Sequence, residues 1–181
     1  MADLYDVGLH AATVADARVL ANLLELYIHD LSEVFPDVEL GADGRFGYSR
    51  LPLYWSQPKR RFPFLIKRDA RVVGFILATR GSPAMDDPSV FDIAEFFVIR
   101  RYRRSGVGRR AAVLLWRGLP GRWTVRVSEA NQGALPFWAR VIAEFTDGAA
   151  NEFTRSGNPH GWRVFSFESP LSYPRTPSAY R

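Results

Sequence analysis

Apolar positions along this chain follow two rhythms, and the rhythm changes near residue 60. In the first part, Leu20, Leu23, Leu24, Tyr27, Ile28 and Leu31 recur at the three-and-four spacing of one helix face. Thr13 supplies a start signal, with Asp16 three residues later in the capping-box position. Pro36 and the loop GADGRFGYSRLP close that region. Beyond it, RFPFLIK and RVVGFILATR flank the short turn Arg68-Asp69-Ala70 and predict a β-hairpin. A Pro- and Asp-rich loop, GSPAMDDPS, leads into a third strand, VFDIAEFFVI. The loop RRYRRSGVG follows, then a helix, RRAAVLLWRG, ended by Leu119-Pro120-Gly121. WTVRV predicts another strand. ANQGALPFWARVIAEF predicts another helix, in which Pro136 is tolerable only in the first turn or at a kink. VFSF, near Trp162, predicts the last strand.

Hairpins in the first half and a strand-helix-strand crossover in the second describe an α+β fold with a mixed sheet. The expected organisation is one domain over residues 1–168, with an irregular, proline-rich tail over 169–181. Hydrophobic residues make up 47% of 181 positions, enough for a full core in one domain. No stretch approaches the ~20 apolar residues that span a membrane, and the N-terminus lacks a basic start before an apolar run. A cytoplasmic protein without membrane partners is therefore expected. The absence of cysteine excludes disulfides, thiolate metal sites and a cysteine nucleophile. His10, His29 and His160 show no metal-ligand spacing, so no metal is expected.

The net charge of +5 matters less than where the charge sits. Arg100, Arg101, Arg103, Arg104, Arg109 and Arg110 crowd one loop, and fields are strongest where charges converge. In that loop a strand ends, and Ser105-Gly106-Val107-Gly108 opens a helix. The first amides of a helix have no internal partners, and its dipole adds positive charge at that end. Without Cβ atoms, Gly106 and Gly108 allow an anion close to the backbone, so the segment reads as a phosphate cradle. Gly106 to Ala111 also satisfies the dinucleotide pattern G-x-G-x-x-G/A, with Glu129 near the place of a ribose-binding acid. Against that reading, a charged loop separates strand from glycines and too few alternating units follow. A nucleic-acid reading of the basic excess requires arginines spread over one face rather than gathered at one loop. No GxxxxGK[ST] occurs.

Arg103-Arg104-Ser105-Gly106-Val107-Gly108 resembles the [QR]-x-x-G-x-[GA] loop of the GNAT superfamily of N-acetyltransferases, in its long form V-x-x-x-Y-R-x-x-G-x-G from Val98 to Gly108. Asn131, Ala134, Phe137 and Trp138 resemble the N-x-x-A-x-x-[FLY]-[YFW] pattern after the family's next strand. The two motifs cover roughly Asp92 to Val141. The resemblance implies a GNAT-like fold: a twisted, mostly antiparallel sheet with helices on both faces and a V-shaped splay between two central strands. It implies acetyl-CoA as acyl donor, lying between the strand ending near Ile99 and the strand Trp123–Val127. Its pyrophosphate would meet backbone amides of Arg104, Ser105, Gly106, Val107, Gly108 and Arg109, with Arg103 and Phe137 also at the cofactor. Pantetheine would pair with the backbone of Phe97, Val98 and Ile99, and Asn131 would bond the pantetheine arm. The implied acceptor is a primary amine of a small molecule or peptide, attacked directly in a ternary complex. A non-catalytic acyl-CoA-binding module is the alternative, and a second copy of the chain is a candidate partner through the tail.

The chemistry asks for a base, because an ammonium has no lone pair, and for a donor to the thioester carbonyl. Alternation places Glu95, Phe97 and Ile99 on one strand face and Phe96 and Val98 on the other. A carboxylate within DIAEFFVI is at least partly buried, which raises its pKa, so Glu95 is the candidate base and Asp92 the fallback. The resemblance assigns the carbonyl to the backbone N–H of Val98. Trp138 departs from the family pattern: many members carry a tyrosine acid there, and an indole is no acid at neutral pH. Either another group serves, with Tyr27, Tyr102 and Tyr173 available, or the thiolate leaves unaided. Tyr27, His29, Asp30, Tyr48, Tyr54 and Trp55 form an aromatic and polar set in the region that shapes the family's acceptor pocket, and Tyr27 is the expected substrate contact beside Glu95.

Overall fold

The structure is a computed structural model and describes residues 7–157 and 160–170. Its elements in chain order are β1 (Val7–Ala11), α1 (Ala17–Ser32), α2 (Leu53–Ser56), β2 (Arg61–Arg68), β3 (Arg71–Arg80), β4 (Phe91–Val98), α3 (Val107–Gly118), β5 (Gly121–Ser128), α4 (Leu135–Thr146), β6 (Asn151–Arg155) and β7 (Trp162–Ser169). One-turn 3₁₀ segments precede α1 at Val14–Asp16 and follow β4 at Arg100–Tyr102.

The seven strands form one sheet in the order β1-β2-β3-β4-β5-β7-β6. Every pairing is antiparallel except β4 with β5. The fold is thus the expected α+β architecture, and the doubly wound parallel sheet needed by the dinucleotide reading is not built. The β2–β3 hairpin turns on Asp69 and Ala70 alone, at φ 50° and 61°. Two left-handed residues match the twist of the flanking strands, which is why a two-residue turn suffices.

Two cores lie on the two sheet faces. On one, α3 and α4 bury Ala111, Leu115, Trp116, Trp138 and Ile142 against Ile66, Ile76, Trp123 and Val125. On the other, Leu20, Leu23 and Leu24 of α1 and Tyr54 of α2 pack on Phe75, Leu77 and Phe97. The helical spacing predicted from Leu20 to Leu31 is therefore the face that α1 buries. Asp16 accepts the Thr13 N–H at 2.9 Å, as its capping position predicted.

Some boundaries differ from the sequence pattern. α3 begins at Val107, two residues earlier than its apolar run suggests, because Gly106 at φ 84° makes the left-handed turn out of the loop. α4 begins at Leu135, with Pro136 in its first turn where the missing N–H has no helical partner. β1 and β6 are not predicted by the pattern: VGLHA is short, and NEFTR is an exposed edge strand without apolar alternation. Ser169 is the last residue of β7 and donates its hydroxyl to the Trp116 carbonyl at 2.6 Å. The tail over 171–181, with Tyr173, lies outside the described residues. Among the described residues no helix is long and apolar enough to cross a membrane.

Candidate active site

A bulge in β4 creates the site. Opposite β3, Ile93 pairs with Ala78 and Glu95 with Leu77, so Ala94 is an extra residue. A bulge bends its strand and reverses which residues face which side. Phe91 and Ile93 lie in the α3–α4 core before the bulge, and Phe96 and Val98 do so after it. Phe97 and Ile99 consequently face α1. Glu95 does too, because it reaches Tyr27 of that helix. The predicted partition of Glu95, Phe97 and Ile99 from Phe96 and Val98 is therefore the observed one, beyond Ala94.

The bend also opens the sheet. β4 and β5 pair at Phe91–Trp123, Asp92–Thr124 and Ile93–Val125, and no further. Among the described residues, β5 beyond Val125 pairs only with β7. The two strands diverge as a V whose inner edges carry unpaired backbone groups. Ile99 donates its N–H to Val73 on β3 at 2.9 Å. Backbone groups alternate along a strand, so the N–H and C=O of Phe96 and Val98 point the other way, into the V. The Val98 carbonyl accepts Arg103 Nε at 2.7 Å. Gly74 lets β3 lie this close: a Cβ there would overlap the Phe97 carbonyl oxygen and come within 3.1 Å of Val98 Cα.

At the end of β4 the chain turns through Arg104 at φ 59° and Gly106 at φ 84° into α3. The first helical bond is Arg110 N–H to Gly106 C=O at 3.0 Å. Among the described residues the amides of Arg104, Ser105, Gly106, Val107, Gly108 and Arg109 donate to no backbone carbonyl, and successive free amides in this conformation form an anion-binding concavity. Ser105 turns its hydroxyl back to the Tyr102 carbonyl at 2.8 Å. Gly108 has a further reason to be glycine: its Cβ would stand 3.2 Å from the Phe137 ring and 3.5 Å from Phe96. Phe96, Gly108 and Phe137 thus meet where the V opens toward α4. Asn131 directs its side-chain oxygen to the Ala134 N–H at 3.2 Å, at the start of α4.

The six clustered arginines divide. Arg100 donates to Asp30 at 2.7 and 3.0 Å, and Arg103 pairs with the same carboxylate. Arg109 pairs with Glu144. Arg101, Arg104 and Arg110 have no carboxylate partner among the described residues. Asp30, placed by sequence in an acceptor pocket, instead ties α1 to the glycine loop.

Glu95 is half-buried just past the bulge. Its Oε2 accepts the Tyr27 hydroxyl at 2.8 Å and its Oε1 accepts the Tyr48 hydroxyl at 2.9 Å. Burial pushes its carboxyl above the ordinary range, while the two tyrosines, Arg126 and Arg50 pull it back. The tyrosines respond in kind: burial and the Glu95 charge raise Tyr27 and Tyr48 well above a free phenol, and push Tyr54 up to about 12. Tyr48 lies in the long loop after α1, which is anchored where Glu25 accepts the amides of Phe46 at 2.7 Å and Gly47 at 3.0 Å. The sequence groups Tyr48 with the aromatic set but carries no signal that it reaches Glu95. Asp92, the fallback base, is fully buried and committed elsewhere. It accepts Arg126 at 2.8 and 3.0 Å and the Thr124 and Ser82 hydroxyls at 2.7 and 3.1 Å. Trp138 is core, with ring centroids 4.9 Å from Phe96 and Phe137. His29 is exposed, and among the described residues no cluster of three or more His, Asp or Glu could hold a metal.

Over at least 90% of its length the chain resembles solved structures. One is an acetyltransferase from Thermus thermophilus, with TM-score 0.64 and 19% identity over 91% of this chain and 98% of that one. Another is the aminoglycoside acetyltransferase AAC(6')-Ib in complex with coenzyme A, with TM-score 0.64 and 14% identity over 90% and 94%. A third is yncA from Salmonella typhimurium with its cofactor acetyl-CoA, with TM-score 0.59 and 11% identity over 97% and 99%. No curated protein matches the chain by sequence. The model of the acetyltransferase (GNAT) family matches residues 20–142, which hold most of α1, the bulged strand, the glycine loop and most of α4. With more than half of its 181 residues matched, the chain belongs to the GNAT family of acetyl-CoA-dependent acetyltransferases.

Proposed function

We propose that this chain transfers an acetyl group from acetyl-CoA to a primary amine of a small molecule or peptide, by direct attack and without a covalent enzyme intermediate. One observation carries the reading. The open inner edge of β4 ends in six amides without a backbone acceptor among the described residues, and a half-buried carboxylate stands beside that edge on the face toward α1. The edge suits pantetheine as an added strand lying along Phe97, Val98 and Ile99, with the backbone groups of Val98 turned toward it. The amides from Arg104 to Arg109 suit a diphosphate. Phe137 and Asn131 flank the arm, and Arg103 acts chiefly by holding the Val98 carbonyl and Asp30.

Glu95 takes a proton from the acceptor ammonium, directly or through water. The freed nitrogen lone pair attacks the thioester carbon, and the Val98 N–H donates to the oxygen as it gains charge. The carbon–sulfur bond breaks and the sulfur leaves with the electron pair; the nitrogen gives up its second proton, through water, to that thiolate, and a neutral amide and a free thiol remain. Tyr27 stands beside the amine and holds Glu95 in place. Trp138 takes no part, since it is packed into the α3–α4 core.

Thermal-shift and thiol-release assays test the reading together. Acetyl-CoA is expected to raise Tm, because a ligand that binds only the folded state stabilises it. Free thiol should then appear when amines are added. Gly108→Glu places a carboxylate among the free amides and a side chain against Phe137, so the Tm shift with acetyl-CoA should vanish. An undiminished shift in that variant refutes the assigned cradle. A shift in the parent without turnover over a broad amine panel favours a non-catalytic acyl-CoA-binding module.

A further inference from the structure

The vertex of the V carries a second charged group besides Glu95. Strand pairing ends at Ile93 and Val125. Glu95 is the first residue past the bulge on one arm, and Arg126 is the first residue past the pairing on the other. Val125 and Val127 point into the α3–α4 core, so Arg126 points to the opposite face, the one on which Glu95 meets Tyr27. A carboxylate and a guanidinium therefore stand on the two arms, on one face, at one level of the cleft.

Arg126 is fixed and partly unsatisfied. Its Nε and Nη2 hold the fully buried Asp92 at 3.0 and 2.8 Å. Its guanidinium lies 5.4 Å over the Trp162 ring, and 18% of its side chain is exposed. Nη1 makes no hydrogen bond among the described residues. From Arg126 a groove of about 560 Å³ runs past Trp162, between the loop at Ala84–Asp86 and the β6–β7 pair, to Arg155. Arg155 donates to the Ala84 carbonyl at 3.2 Å and has no carboxylate partner among the described residues. Asp86 is the acid on this rim.

We propose that the acceptor is a primary amine with an acidic tail, whose oxyanion is received in this groove by Arg126 and Arg155. The assignment rests on the acetyltransferase reading for the amine end and on the groove for the other. A held guanidinium edge with free N–H groups pairs well with a planar oxyanion, and it loses little freedom in doing so. A neutral tail would cover the Nη1 edge without giving it an acceptor, which costs a desolvated donor. A cationic tail would meet Arg155, which no carboxylate among the described residues neutralises, and the donor edge that Arg126 leaves free of Asp92. The groove's volume falls in the range of small-molecule sites. The amine of such a zwitterion lies toward Glu95 and its anion toward β5, which orients the nucleophile across the cleft.

The test compares three series of matched length: alkylamines, ω-aminocarboxylates and aminoalkyl phosphates. In each, kcat/KM is read by thiol release, and Kd is read by calorimetry on the coenzyme A-loaded protein. An acidic series should exceed the alkylamines by about tenfold or more, the size of one hydrogen bond to a charged group. Whichever acidic series wins identifies carboxylate or phosphate as the tail. In Arg155→Gln, the acidic-to-neutral ratio should fall about tenfold, with partial rescue by Arg155→Lys. Acidic and neutral amines that bind and react alike at every length overturn the proposal, as does a ratio indifferent to Arg155→Gln. Arg155-dependent binding of acidic amines without turnover of any amine supports the groove and refutes the acetyltransferase reading instead.

Discussion

The hydroxyl of Tyr27 can be removed with little else disturbed. Its ring is edge-on to Phe75 at 5.7 Å and tilted against Phe97 at 6.0 Å, contacts that phenylalanine keeps. Tyr27→Phe therefore deletes one hydrogen bond, the 2.8 Å contact to Glu95, and leaves the 2.9 Å contact from Tyr48. That bond favours the carboxylate over the acid. A hydrogen bond to a charged group is worth roughly 1.5–3 kcal/mol, and about 1.4 kcal/mol corresponds to one pH unit. The Glu95 pKa, already raised chiefly by burial, should climb by a further one to two pH units, roughly. Since the proposed base must be ionised, the acidic limb of kcat/KM against pH moves up by the same amount, and the alkaline plateau changes less. The profile is measured by thiol release with saturating acetyl-CoA. Stability follows the same linkage. A carboxyl raised in the fold contributes fully below its unfolded pKa, and that contribution is lost as pH rises through the folded value. The Tm deficit of Tyr27→Phe should therefore be largest at neutral and higher pH and shrink in acid. A limb that stays in place, or moves to lower pH, refutes the hydrogen bond's role in setting Glu95.

Two further variants probe the same strand. Glu95→Gln should lower kcat/KM by about 10²–10⁴, the contribution of a general base. Its Tm should exceed the parent's at alkaline pH, where the parent carries a half-buried charge, and the gain should disappear below the carboxylate range. Retained activity, or a lower Tm at alkaline pH, contradicts that assignment. Gly74→Ala should destabilise at or beyond the upper end of the about 1–3 kcal/mol typical of overpacking, because backbone meets backbone and neither strand can give way. The urea midpoint reads this, with Gly118→Ala as control, since a Cβ at Gly118 meets nothing within 4 Å. Equal midpoints for both variants rule out the close β3–β4 approach.

Elements whose burial repeats at a fixed local spacing are legible in the chain without its fold. The face of α1, the β2–β3 hairpin, the alternation after Ala94 and the glycine-opened helix are all of this kind. A side chain's face depends only on its position in the helical or strand period, so neighbours a few residues apart suffice to reveal it. Glu95 is recognisable for the same reason, as one carboxylate in an apolar strand.

Other features of the site exist only once the sheet has closed. The bulge at Ala94 depends on registry with β3, and DIAEFFVI contains no breaker that marks it. The opening of the V depends on where β5 leaves β4 for β7. Tyr48 reaches Glu95 across 47 residues, and Arg126 reaches Asp92 across 34. Asp30 binds arginines 70 and 73 residues away. Pairings of this kind arise when separate elements close on one another, and the energy that selects them is packing over the whole sheet. No local period encodes it, so the chain displays its candidate base while that base's partners emerge only in the fold.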